Sequence, residues 1–172
     1  LPASAKTGRL WPGASPRRFR GTGLYDWLLA RDSATRVLSV SRKDRGAILP
    51  VGRARGNVFW YAGGVFTTSS WYGDSVPSWL YAWNMRGGPA ALTGKEWGLF
   101  RDPATYAEAD SLSYENSEFG ARDFTFPHRL PADTGAMLRR LRDYPWMDSL
   151  ILDVALEGVR RTGVGQREGT DL

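Results

Sequence analysis

Lys43 and Arg45 are the residues whose types and spacing suit the binding of a phosphate group. A lysine supplies a compact positive charge, and an arginine fork can bind two oxygens in one plane. In extended backbone, two residues separated by one position point the same way, so both would face one ligand while Asp44 faces away. The simpler alternative is a surface ion pair between Asp44 and Arg45, which is a common and weak arrangement. The spacing alone leaves both interpretations open.

Other candidate catalytic residues are few. The chain has no cysteine and one histidine, so a thiolate metal site and a cysteine nucleophile are excluded. His128 has no carboxylate three or four positions later, where Pro131 and Ala132 stand, and we expect a structural role for it. The hydroxyls of residues 67–70 have no neighbouring base in the sequence. No catalytic residue and no metal ligand is therefore assigned within this chain.

The elements around Lys43 predict an α/β fold. The run 36–41 is short and rich in β-formers, which is typical of a buried parallel strand, and Lys43 follows it directly. Ligands of open α/β sheets bind beyond the carboxyl ends of the strands. A helix over about 22–32 precedes this strand, and a short helix over 45–49 that closes at Pro50 follows it. We expect strand 36–41 to be central in a mainly parallel sheet flanked by helices.

The rest of the chain is divided as follows. Residues 1–89 form the α/β part with the phosphate-binding loop, including a hairpin over 57–68 with a glycine loop and a helix that Pro77 opens. Residues 90–135 lack periodicity and predict an inserted excursion over the active-site side of the sheet. Residues 136–172 contain a helix over about 146–161 that ends at Gly163 and leads towards a further strand, absent from these 172 residues.

Aromatic residues are abundant, and we expect most of them to be buried. Trp27, Trp79 and Trp83 fall on apolar helix faces, which predicts that they are core residues. The excursion carries aromatic residues that also need a place to bury: Trp97, Phe100, Tyr106, Tyr114, Phe119, Phe124 and Phe126.

The charge balance leaves a second class of function open. The chain has 23 basic and 18 acidic residues, 20 of the basic ones arginine, and a formal net charge of +5. A basic, aromatic-rich chain could be a noncatalytic binding module, for nucleic acid for instance. The arginines are spread among acids, however, and the densest group, 17–20, is interpreted as a solvated surface, so no nucleic-acid partner is expected. No apolar run is long enough for a membrane span.

A series of motifs follows in the order found in a known family. They are Gly13–Pro16, Ser41–Leu49, Phe59–Tyr61, Phe66–Tyr72, Val76–Trp79 with Trp83-Asn84, Phe126–His128 and Pro145–Leu150. Together they resemble the bacterial alkaline phosphatase family related to type I phosphodiesterases and nucleotide pyrophosphatases, within the alkaline phosphatase superfamily. The resemblance extends over nearly the whole chain, and its most specific part is the Lys-Asp-Arg stretch.

This resemblance implies a metal-dependent phosphate-ester hydrolase in which two zinc ions hold and activate a Thr or Ser nucleophile. By resemblance, Lys43 and Arg45 match the pair that contacts the nonbridging oxygens of the transferred phosphoryl group. The motifs of the nucleophile and of the zinc ligands are missing from the 172 residues, so we expect an internal, partial domain that is inactive by itself. The resemblance also implies a small-molecule phosphate ester as substrate and a periplasmic or secreted location. We expect phosphomonoesters to be preferred over diesters, since a monoester carries more charge.

Overall fold

A computed structural model describes residues 13–112 and 125–172. Its helices are α1 (Leu24–Arg31), α2 (Asp44–Val51), α3 (Ser78–Met85), α4 (Thr134–Arg140) and α5 (Trp146–Thr162). Its strands are β1 (Leu38–Ser41), β2 (Asn57–Ala62), β3 (Val65–Thr67), β4 (Glu96–Trp97) and β5 (His128–Arg129). None of these helices is both long and apolar enough to cross a membrane.

The main sheet has the order β1-β2-β3 and confirms the α/β class. β1 pairs with β2 in parallel, with Ser41 opposite Trp60, and β2 pairs with β3 in antiparallel fashion. Among the described strands β2 lies between β1 and β3, and strand 36–41 has the parallel pairing that the sequence predicts. On the other side of β1, the Leu38 amide donates to the Leu172 carbonyl (2.8 Å), and the Leu172 amide donates to the Arg36 carbonyl (3.0 Å). This is the parallel ladder pattern, so the chain approaches β1 as a further strand would.

The hairpin between β2 and β3 closes with the predicted glycine loop. Gly63 and Gly64 have φ values of 59° and 90°, in the left-handed region that tight hairpin loops use. A Cβ on Gly64 would lie 2.9 Å from Leu138 Cδ1, so the loop also needs glycine in order to pack against α4.

Helices cover both faces of the sheet. Successive side chains of β2 point to opposite faces, so they belong alternately to two apolar clusters. Val58 and Trp60 join one cluster with residues of α1 and α2, among them Tyr25 and Ile48. On the other face, Phe59 and Tyr61 join a cluster with residues of α3, α4 and α5. The buried members of that second cluster are Phe59, Tyr61, Phe66, Leu80, Trp83, Leu130, Met137, Leu141, Met147 and Val154.

Two helix predictions need correction. α2 does not close at Pro50 but continues to Val51, because a proline so near the end of a helix removes little of its hydrogen bonding. Trp27 is 61% exposed, whereas Trp83 is buried and Trp79 packs against the core as predicted. In α1 it is Tyr25 that faces the core, and the Trp27 indole N–H donates to Thr22 Oγ1 at the solvent side.

The excursion is less buried than its aromatic content predicts. β4 and β5 form a small antiparallel sheet on which Trp97 and Phe126 pack edge to face, with both rings half-buried. Phe100 and Tyr106, by contrast, are 93% and 42% exposed, because residues 98–111 run over the surface as loop and a single short turn. Tyr114, Phe119 and Phe124 lie outside the described residues.

The buried Asn84 amide ties α3 to the edge of the sheet. Asn84 Oδ1 accepts a hydrogen bond from the Phe66 N–H (2.9 Å), and Asn84 Nδ2 donates to the Phe66 carbonyl (2.8 Å). The side chain therefore satisfies both backbone groups of an edge residue that is fully buried.

Replacing Asn84 by leucine should lower the free energy of unfolding by about 2–5 kcal/mol, because two buried backbone groups then lose their partners. Urea unfolding followed by circular dichroism measures this change. The nearby exposed Arg86→Ala change is the control and should stay within about 0.5 kcal/mol of the parent. A leucine variant as stable as that control would show that the two hydrogen bonds contribute nothing net.

The Asp26 carboxylate joins the start of α1 to the loop that follows α2. It accepts hydrogen bonds from the amides of Gly23 (2.8 Å), Arg53 (3.0 Å) and Ala54 (2.9 Å). Burial opposes its ionisation, but these three amides and the charge of Arg53 outweigh that effect and lower the pKa of the Asp26 carboxyl group.

Because the folded state lowers this pKa, the stabilisation is fully present above about pH 4 and is lost as the pH falls through the folded value. Asp26→Asn should therefore destabilise the chain at pH 7, and the gap to the parent should narrow as the pH is lowered below about 4. Urea titrations at a series of pH values measure the gap. The exposed Asp74→Asn change is the matched control, and a pH-independent gap for Asp26→Asn would contradict the assignment.

Candidate functional site

The junction between β1 and α2 places the predicted phosphate-binding residues. Two serine side chains hold it together: Ser39 Oγ donates to the Ala47 carbonyl (2.8 Å), and Ser41 Oγ accepts from the Lys43 amide (3.4 Å). A Cβ on Gly46 would lie 2.5 Å from Ser41 Oγ, so a larger residue there would force the Ser41 side chain to move. Lys43 and Arg45 thus stand at the carboxyl end of a parallel strand, on a well-defined turn.

The backbone of this turn differs from the expectation of a continuous extended segment. Lys43 is extended (φ −128°, ψ 146°), but Asp44 and Arg45 already belong to the first turn of α2. The Arg45 amide donates to Asp44 Oδ1 (2.8 Å), and a carboxylate in the first turn of a helix stabilises it. The argument that the two basic side chains point the same way because the backbone is extended is therefore wrong.

Three basic residues at this junction have different surroundings. Arg42 Nη1 donates to the Arg142 carbonyl (2.7 Å) and lies 3.8 Å from Asp143 Oδ1, so it holds the turn after α4. Lys43 and Arg45 are exposed. Within the described residues Arg45 meets one carboxylate, that of Asp44 at 4.0 Å, with the two side chains 70% and 45% exposed. The surface ion pair foreseen as the alternative is therefore present, but at this distance and exposure it is weak.

The residues of the described ranges do not fit a two-metal centre. No group of three or more His, Cys, Asp or Glu side chains comes together in them. His128 lies among aromatic rings, with ring centres 4.5 Å from Phe126 and 5.5 Å from Trp97. Thr68 and Ser69 are buried, and their hydroxyl groups have no hydrogen-bond partner within the described part of the chain. Neither place offers an exposed nucleophile next to a base.

A groove beside Arg45 was not found as a site from the sequence. It has a volume of about 1090 Å³ and lies between the segment 13–20 and α2. Arg17, Arg18, Arg20 and Arg45 line it, together with Asp44. The sequence signal was the arginine cluster at 17–20, but only the fold shows that this cluster lies against the start of α2.

Two of the three relatives found by comparison with known proteins are named alkaline phosphatases. No family model matches the chain. The alkaline phosphatase PhoV of Synechococcus elongatus is 31% identical over 163 residues, and the alkaline phosphatase PafA of Elizabethkingia meningoseptica is 31% identical over 164 residues. Each match covers 92% of this chain and 30% of the relative. A protein of Myroides odoratus named calcium-transporting ATPase is 28% identical over 159 residues, which is 88% of this chain and 29% of that protein.

The fold matches as well. The crystal structure of wild-type PafA aligns with a TM-score of 0.77 at 28% identity, covering 91% of this chain and 31% of PafA. The chain belongs to the alkaline phosphatase superfamily. Within that superfamily its similarity is to the PhoV and PafA alkaline phosphatases, of whose length it spans about 30%.

A crystal structure of a PafA variant bears on the site. It aligns with a TM-score of 0.78 at 28% identity, covering 91% of this chain and 32% of the variant. Its four substitutions include a lysine and an arginine, two positions apart, that are both replaced by alanine. Lys43 and Arg45 have the same order and spacing.

We expect Lys43→Ala and Arg45→Ala to leave the free energy of unfolding within about 0.5 kcal/mol of the parent, because both side chains are exposed and weakly partnered. Arg42→Ala should cost more, about 1 kcal/mol, since it removes a hydrogen bond to a backbone carbonyl. Urea unfolding of the three variants tests this order. Destabilisation of Lys43→Ala beyond that of Arg42→Ala would indicate a structural role for the lysine.

Proposed function

We propose that this chain supplies the phosphate-binding residues of a metal-dependent phosphate-ester hydrolase. The observation that carries the proposal is the exposed Lys43/Arg45 pair at the carboxyl end of β1, in a chain of the alkaline phosphatase superfamily. The lysine and arginine substitutions of the PafA variant, which have the same order and spacing, support this choice of residues. In the proposal Lys43 neutralises charge, and the Arg45 guanidinium donates to nonbridging oxygens of the phosphoryl group.

The preferred substrates are phosphomonoesters of small molecules. A terminal phosphoryl group carries more negative charge and more free oxygens than a diester, so two cationic side chains favour it more strongly. Asp44 partly offsets the charge of Arg45 when no substrate is bound. A dianionic phosphoryl group can displace this weak ion pair, since the pair is exposed and its atoms are 4.0 Å apart.

Metal ions enter the proposal through the resemblance and not through residues of this chain. The superfamily resemblance implies two zinc ions, but the described residues contain no cluster that could hold one. The chain as a whole has one histidine and no cysteine. In the proposal the nucleophile and the metal ligands belong to residues outside the 172, the 172 residues are inactive alone, and the enzyme is periplasmic or secreted.

We expect the double change Lys43→Ala, Arg45→Ala in the full-length protein to lower kcat/KM for an aryl phosphate monoester by about 100-fold or more. The value for the matching diester should fall less, because fewer charged oxygens lose their partners. The control is Arg55→Ala, Arg86→Ala, which removes two exposed positive charges from elsewhere on the surface.

Three results would contradict the proposal. The first is a diester preference in the protein with both residues intact. The second is a double variant whose monoester kcat/KM equals that of the control. The third is zinc-dependent turnover by residues 1–172 alone that disappears in the double variant, which would show that the site is complete within this chain.

A further inference from the structure

We propose that the groove lined by Arg17, Arg18, Arg20 and Arg45, here called the arginine groove, binds a second phosphate group of the ligand. The preferred ligands would then be organic diphosphates, such as nucleoside diphosphates, over compounds with one phosphate. The inference rests on the proposed function insofar as Lys43 and Arg45 bind the first phosphate group.

The charge of the arginine groove is largely uncompensated. Among the described residues, four guanidinium groups and one carboxylate, that of Asp44, line it. Arg17, Arg18 and Arg20 are exposed, and within residues 13–112 and 125–172 none of their side chains makes an ion pair or a hydrogen bond. A surface on which positive charge outnumbers negative charge attracts a multiply charged anion, and arginine forks bind phosphate oxygens in pairs.

The backbone that carries these arginines is held in place. Residues 16–18 form one short helical turn, which the Phe19 amide closes by donating to the Pro16 carbonyl (2.8 Å). Pro16 is buried, and Ala14 packs against the core cluster that includes Ile48 of α2. The arginines therefore project from an ordered segment, which lowers the entropic cost of ordering them around a ligand.

The arginine groove also offers apolar surface for the organic part of a ligand. Phe19 is half-buried in its lining, and Leu49 of α2 is 48% exposed there. An aromatic ring beside arginines can stack on a nucleobase while the guanidinium groups bind phosphate oxygens. A groove of about 1090 Å³ is large enough for a small organic ligand.

Arg45 connects the two parts of the proposed site. It lines the arginine groove, and it follows Lys43 by two positions at the carboxyl end of β1. In the proposal, a ligand with adjacent phosphate groups places one at Lys43 and Arg45 and the next among Arg17, Arg18 and Arg20; Arg45, unlike Lys43, lines the groove. A ligand with one phosphate group leaves the second set of arginines without an anion.

Isothermal titration calorimetry of the 172-residue chain with ADP, AMP and pyrophosphate tests the inference. We expect ADP to bind at least about tenfold more tightly than AMP, because it adds charge-assisted hydrogen bonds. The triple change Arg17→Ala, Arg18→Ala, Arg20→Ala should remove this preference and leave AMP binding within about twofold. The matched control is Arg55→Ala, Arg86→Ala, Arg139→Ala, which removes the same charge from exposed arginines outside the groove and should keep the preference.

Equal affinity for ADP and AMP, or a preference that survives the triple change, would overturn the inference while leaving the proposed function intact. Tight binding of single-stranded DNA that requires the same three arginines, without ADP binding, would also overturn it and indicate a nucleic-acid site. Pyrophosphate binding that depends on the groove arginines but not on Lys43 would support the second site. In that case the proposed role of Lys43 would be wrong, and the proposed second phosphate site would stand.

Discussion

The parallel pairing of β1 with β2 is the constraint on which the site depends. A parallel pair needs a crossover, and here α2 and the loop after it return the chain from Ser41 to Asn57. α2 must therefore begin at the carboxyl end of β1, and the residues at its start stand at the sheet edge where ligands bind in α/β folds. The covering of both faces of β2, with Trp60 on one side and Phe59 on the other, fixes this register.

The spacing of apolar residues and the positions of helix-ending glycines predicted elements that pack on the core. The stripe of α5, which includes Met147 and Val154, and its end at Gly163 (φ 68°) were visible in the sequence, because helical spacing and a left-handed glycine are local signals. The exposed Trp27 shows the limit of predicting buried residues from helical spacing. Its spacing fits an apolar face, but which face of a short helix meets the core depends on the partner helix, and Tyr25 takes that position.

The site was predictable in composition but not in geometry. Lys43 and Arg45 could be placed after a strand by counting residues, yet their relative orientation depends on where α2 begins. The helix begins at Asp44, between the two basic residues, and the Asp44 carboxylate accepts a hydrogen bond from the Arg45 amide. A carboxylate that the spacing argument treated as facing away is thus part of the turn, and it partly neutralises Arg45.

The net charge of +5 does not tell which basic side chains are paired with carboxylates. That pairing depends on contacts in the folded chain, which cannot be calculated from composition. Elsewhere in the described chain six arginines lie within 4 Å of carboxylates, namely Arg42, Arg129, Arg142, Arg160, Arg161 and Arg167. Asp143 and Glu157 each meet two of them, and hydrogen bonds from Arg161 and Arg160 lower the pKa of the Glu157 carboxyl group. The arginine groove has the opposite balance, since the described residues that line it carry four guanidinium groups and one carboxylate. Arginines that appear evenly mixed with acids along the sequence therefore have unequal surroundings in the fold: some lie beside carboxylates, and those of the arginine groove outnumber the acidic groups around them.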